Sequence, residues 1–182
     1  MHRRPIGRVT VADAAVRVLE KEERAIAIHD IARTMERDME VCSPMPSVQV
    51  ALSRDPRVCW GGKGIYGLFR HGLLPGPRNL VGVGLFFLLA SQREVAVEKL
   101  AFVMKWRGYR FQDNSLQVAL SNEAQVAWPG AFTAELRDPE KTQRRLMRLG
   151  FAPSRRDFDA LLNDAQKIAR DGFAEYRRRI RA

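Results

Sequence analysis

A chain of 182 residues with 31 Lys and Arg against 21 Asp and Glu carries a formal charge of +10, which points to a polyanionic partner, nucleic acid first and an anionic membrane surface second. Two cysteines, Cys42 and Cys59, and three scattered histidines make neither a disulfide framework nor a zinc set, and the most apolar run, Leu80 to Ala90, is at 11 residues too short to span a bilayer. A reducing, cytoplasmic setting without membrane contact follows, and the basic Met1-His2-Arg3-Arg4 opening has no long apolar stretch after it that would make a signal peptide.

Thr10 can cap a first helix, with an acid three residues on and Val11, Ala14, Ala15, Val18 and Leu19 at steps of three and four. Ala25 to Ile28 is a short apolar run that suits a brief strand, and His29 or Asp30 starts a second helix with Ile31, Ala32 and Met35 inward. His29 beside Asp30 is no acid/base pair, since adjacent residues on a helix do not face each other. Ser43-Pro44-Met45-Pro46 breaks the chain, after which Ser47 is expected to cap a third helix, Val48 to Ser53 or Arg54. Arg57 to Trp60 and Ile65 to Phe69 are β-prone runs joined by Gly61-Gly62-Lys63-Gly64, a turn rich in the residue that accepts positive φ. Helix, short strand, helix, helix, hairpin is the order of a winged helix-turn-helix, whose third helix enters a DNA groove while its hairpin touches the backbone.

The first 70 residues resemble the HARE-type helix-turn-helix domain at Thr10-Val11-Ala12-Asp13-Ala14-Ala15, Asp30-Ile31-Ala32, Ser47 to Leu52 and Gly64-Ile65-Tyr66-Gly67-Leu68. That winged-helix family includes the N-terminal domain of the delta subunit of bacterial RNA polymerase, and it occurs fused to restriction enzymes and chromatin proteins. The resemblance implies a DNA-linked role, with protein contacts as the route some members take.

A second copy follows. Ser47 to Trp60, SVQVALSRDPRVCW, recurs 68 positions later as SLQVALSNEAQVAW, Ser115 to Trp128, and Ile26 to Met35 aligns with Val95 to Met104 at an offset of 69. Its first helix, Leu80 to Ser91, is apolar all round and so must be covered by the first copy, the tail or a second chain. Val95 to Trp106 repeats the second helix. Lys105, Arg107 and Arg110 crowd the next turn, and Asp113 or Asn114 can cap Ser115 to Asn122. Beyond Trp128 no Tyr-Gly-Leu follows, so the second wing is expected to be altered or absent.

Residues 138–182 hold 12 basic and 7 acidic residues, half of the whole excess charge. They read as two helices: Pro139 to Leu149, closed by Gly150, and one from Ser154 to about Ile180. Phe158, Leu162, Ala165, Ala169, Phe173 and Tyr176 make a packing or dimerisation seam on the second.

The expected architecture is therefore mainly α with small β-hairpins: tandem winged helix-turn-helix modules over 1–74 and 75–137, then a basic helical extension over 138–182. No catalytic, nucleotide-binding or metal motif is present in the sequence, so no cofactor and no enzyme activity are expected. The candidate DNA contacts are Ser47, Gln49, Ser53 and Arg54 on the third helix, Arg57 and Lys63 at the hairpin, Arg107, Arg110, Gln117 and Asn122 in the second copy, and Arg177 and Arg178 in the tail. Trp60, Trp128, Tyr66 and Phe69 read as core residues. A transcriptional or genome-associated regulator is the leading function. The alternatives are an adaptor of RNA polymerase or another nucleic-acid machine, and recognition of RNA or modified DNA. A homodimer through the Leu80–Ala90 helix or the C-terminal helix fits the same sequence.

Overall fold

A computed structural model describes residues 9–74 and 79–181. The Met1-His2-Arg3-Arg4 opening and residue 75, where the sequence sets the start of the second module, lie outside them. In the first module, α1 (Val11–Lys21) begins at Thr10, whose hydroxyl oxygen accepts from the Asp13 N–H at 3.1 Å, and Ala14, Ala15, Val18 and Leu19 are buried. β1 (Ile26–Ala27) passes directly into α2 (Ile28–Met39), which turns Ile31 and Met35 inward. α3 (Met45–Arg54) starts earlier than expected. Pro46 sits in its first turn, where a missing N–H costs nothing, so Ser47 lies inside the helix rather than at its cap.

β2 (Val58–Gly62) and β3 (Ile65–Leu68) form an antiparallel hairpin, and β1 pairs with the other edge of β3. The Ile28 N–H donates to the Gly64 carbonyl at 2.8 Å, which ties the hairpin turn to the start of α2.

The second module repeats this order as α4 (Leu80–Ser91), β4 (Val95–Ala96), α5 (Val97–Trp106), α6 (Ser115–Ser121), β5 (Val126–Gly130) and β6 (Thr133–Leu136). β5 and β6 stand 68 positions after β2 and β3, and β4 stands 69 after β1. Even the tie recurs, with the Val97 N–H donating to the Phe132 carbonyl at 2.9 Å. The second hairpin, expected to be altered or absent, is present but altered, since its ladder lacks the Trp128–Ala134 pair that would match Trp60–Tyr66. A ladder is made by main-chain groups, so losing Tyr-Gly-Leu does not remove it, and Ala134 takes the buried position of Tyr66.

Each module has its own core, but the second core reaches further. α7 (Pro139–Arg148) and α8 (Arg155–Arg179), capped by Asp138 and Ser154, pack on α4, and α8 also packs on α5. Phe86 of α4 stacks on Phe151 at 4.6 Å between ring centres and meets Phe158 edge-on at 5.5 Å. The tail is therefore the cover that the apolar α4 requires. Gly82 to Ala90 are buried inside this one chain, and so are Phe158, Ala165, Ala169 and Phe173 of the seam, so of the covers the sequence allows the tail is the one seen here. Leu162 and Tyr176 remain half-buried.

The two modules also join. Cys59, Leu73 and Leu74 enter the second core, and Trp60 packs against both cores. The Leu74 N–H donates to the Tyr109 hydroxyl at 2.9 Å, and the Arg110 N–H donates to the Gly61 carbonyl at 2.6 Å. Phe69 differs from its expected core role, since it lies in a short 3-10 turn and is 48% exposed.

Candidate nucleic-acid interface

On α3, Val48 and Leu52 face the core, which leaves Ser47, Gln49, Ser53 and Arg54 exposed on the other side together with Val50. Lys63 is exposed at the hairpin turn. Among the described residues neither Arg54 nor Lys63 makes an ion pair, so both charges are available to an anion.

Arg57 is differently placed. Its Nε donates to Asp55 Oδ1 at 2.9 Å, and its Nη2 donates to Asp55 Oδ2 at 2.6 Å and to Asp13 Oδ1 at 3.0 Å. The Thr10 hydroxyl first and Arg57 second hold the Asp13 carboxyl below its ordinary range. Arg57 thereby braces α1 against the corner between α3 and β2, with its charge matched by two carboxylates. The sequence reading missed Asp55, although acid and base two residues apart at a helix end is a signal for a local bond.

The second module presents another kind of face. Asn122, the counterpart of Arg54, is exposed but bonds back to the Val118 carbonyl at 3.2 Å, and Gln117 is half-buried. Ala131 replaces Lys63. Val118 and Phe132 are 59% and 63% exposed beside the exposed Ser121 and Asn122, so the outward surface of α6 and its hairpin tip is uncharged and partly apolar. A groove of about 590 Å³ beside it is lined by Phe102, Lys105, Asp113, Gln117, Phe132 and Tyr176. Asn114 precedes α6 without capping it, and Asp113 instead bonds Lys105. Arg107 and Arg110 do not gather beside α6. Arg107 packs against Gly72 and the Trp106 ring at the junction, while the Arg110 backbone extends the first module's hairpin edge and its side chain is exposed. Nothing in the periodicity of the sequence marks that junction.

In the tail, Arg177 is exposed without an ion pair among the described residues, whereas Arg178 is held by Glu175 at 2.7 Å. Among the described residues no group of three or more His, Cys, Asp or Glu is placed to hold a metal ion, and no helix is long and apolar enough to cross a membrane. Comparisons with protein-family models, curated proteins and solved structures gave no match to the chain.

Proposed function

We propose that the protein binds double-stranded DNA without catalysing a reaction, through α3 and the hairpin of a first winged helix-turn-helix module, as a transcriptional or genome-associated regulator. The observation that carries the reading is the pairing of an exposed polar α3 face (Ser47, Gln49, Ser53, Arg54) with an unpaired cation, Lys63, at the adjoining hairpin turn. Short polar side chains suit base edges, and cations suit phosphates. The resemblance of residues 8–70 to the HARE-type domain points the same way. The second module serves assembly in this reading, and its exposed Phe132, at the place of Gly64 and beside Val118, favours, as a second reading, an adaptor that docks another protein.

Anisotropy of a labelled duplex across a salt series tests it. Arg54→Glu with Lys63→Glu should lower affinity by tenfold or more and flatten the log–log salt slope by about two. Asn122→Glu with Ala131→Glu, at the equivalent second-module positions, should leave both nearly unchanged. Wild-type protein that shows no binding at low salt, or binding without a salt slope, overturns the proposal.

A further inference from the structure

α4 ends at Ser91, and Gln92 in the left-handed region turns the chain toward β4. Between this turn and α8 runs a groove of about 480 Å³ lined by Gln92, Arg93, Gln166, Arg170 and Phe173. Lys99, on α5, places its Nζ 4.6 Å from the centre of the Phe173 ring. Arg177 stands one helical turn beyond Phe173. Arg93 and Arg177 are near enough to act on the Lys99 charge, so four cations, from the turn after α4, from α5 and from α8, gather along and beside this groove.

None of the four makes an ion pair among the described residues, and the carboxylates around them are engaged or turned elsewhere. Glu175 holds Arg178 and Arg179, Glu98 is bonded to the Tyr176 hydroxyl, and Asp171 lines a separate groove with Lys167. Glu94, next to Arg93, and Asp171, next to Arg170, are exposed and make no ion pair among the described residues. Burial first, then the nearness of Arg93 and Arg177, holds the Lys99 ammonium below its ordinary range. The C-terminal carbonyls of α4 offset this crowding by about half a charge. A bound anion would offset the rest.

We propose that this groove binds phosphate groups through Arg93, Lys99, Arg170 and Arg177, at a site separate from α3 and the first hairpin. The ligand is a phosphate polyanion, either the backbone of a nucleic acid or a free inorganic polyphosphate. The inference does not rest on the DNA-binding role of the first module.

Titration of the full chain with inorganic tripolyphosphate, followed by calorimetry, probes the site directly, and the labelled duplex identifies the source. Arg93→Gln with Arg170→Gln should weaken tripolyphosphate at least tenfold. Arg177→Glu, at an exposed helix end where it cannot unfold the core, should weaken it in the same direction. If the groove meets nucleic acid, the double variant also flattens the duplex salt slope by about two. If free polyphosphate is the ligand, only the tripolyphosphate arm responds. Unchanged tripolyphosphate binding and an unchanged duplex slope in these variants overturn the inference. The Arg54→Glu and Lys63→Glu pair should leave tripolyphosphate binding intact, so failure of the first-module reading stays distinguishable.

Discussion

The corner between third helix and hairpin is built twice, and the two versions are closed by different parts of the chain. In the first module Asp55 takes its cation from Arg57, two residues away. In the second, Glu123 stands in the place of Asp55, Gln125 has replaced Arg57, and the cation is Arg145 of α7, which donates to Glu123 and lies 3.5 Å from Gln125 Oε1. The same substitution of tail for local partner occurs on the first helices, where exposed Arg17 corresponds to buried Phe86. A duplicated fold has thus kept its backbone while one copy handed its cover and its counter-charge to a new segment. Both third helices expose a valine at matching positions, Val50 and Val118, and the outer faces differ in charge: Arg54 and Lys63 of the first copy stand where the second has Asn122 and Ala131, and Phe132 is exposed at the second hairpin tip.

The largest expected effect separates the two first helices. Phe86→Ala removes the ring between Phe151 and Phe158 and should cost about 4 kcal/mol of unfolding free energy in urea. Arg17→Ala, at the equivalent exposed position, should stay within roughly 0.5 kcal/mol. Similar losses at both positions would mean that the tail does not distinguish the modules.

A second contrast lies in the hairpins. Gly62 has φ of +121°, and a Cβ there would sit 2.1 Å from the Arg110 carbonyl oxygen, so backbone must move to admit it. Gly130, its counterpart, would meet only Thr133 Oγ1 at 3.3 Å. Gly62→Ala should therefore cost about 3 kcal/mol and Gly130→Ala under about 1 kcal/mol, measured by thermal unfolding. An equal cost would remove the claim that only the first hairpin carries the junction.

Much of this contrast was legible before any coordinates. The offsets of 68 and 69 place both third helices and both sets of strands, because the paired Val, Ala, Leu and Trp positions hold one backbone. The second hairpin was legible too, had the offset been followed past Trp128 in preference to side-chain identity: Thr133 to Leu136 stand where Ile65 to Leu68 stand. The apolar α4 announced that it needed a cover, and the tail's spaced aromatics announced a seam, but pairing them requires geometry between distant segments. The candidate site divides likewise. Exposure of Gln49, Ser53 and Arg54 follows from helical period. The capture of Arg57 by Asp13, 44 residues away, and the removal of Arg107 to the junction do not, since no local pattern encodes a contact between elements.

The ion pair on the second corner gives a smaller effect. Glu123 is mostly buried beneath Arg145, so Arg145→Ala leaves a carboxylate without its charged donor and should cost about 2 kcal/mol in urea unfolding. Arg145→Lys should recover only part, because an ammonium cannot bond both carboxylate oxygens as a planar fork does. Full recovery by lysine would reduce the contact to charge alone.

The smallest effect concerns acid. Asp13 has its folded pKa lowered by Thr10 and Arg57, so its contribution to stability is fully present above the ordinary carboxylate value of about 4 and is lost as pH falls through the lower folded value. The start of α4 has no such group: Gly82 occupies the place of Asp13, and its N–H donates to the neutral Asn79 side chain at 2.6 Å. As pH falls below about 4, the first amides of α1 should lose protection against hydrogen exchange relative to their intrinsic rates, while those of α4 should keep theirs. Asp13→Asn should abolish the difference, since an amide does not titrate in this range. Acid sensitivity at α4, or its persistence in the Asn variant, would locate the titrating group elsewhere and break the assignment of that corner to Asp13, Asp55 and Arg57.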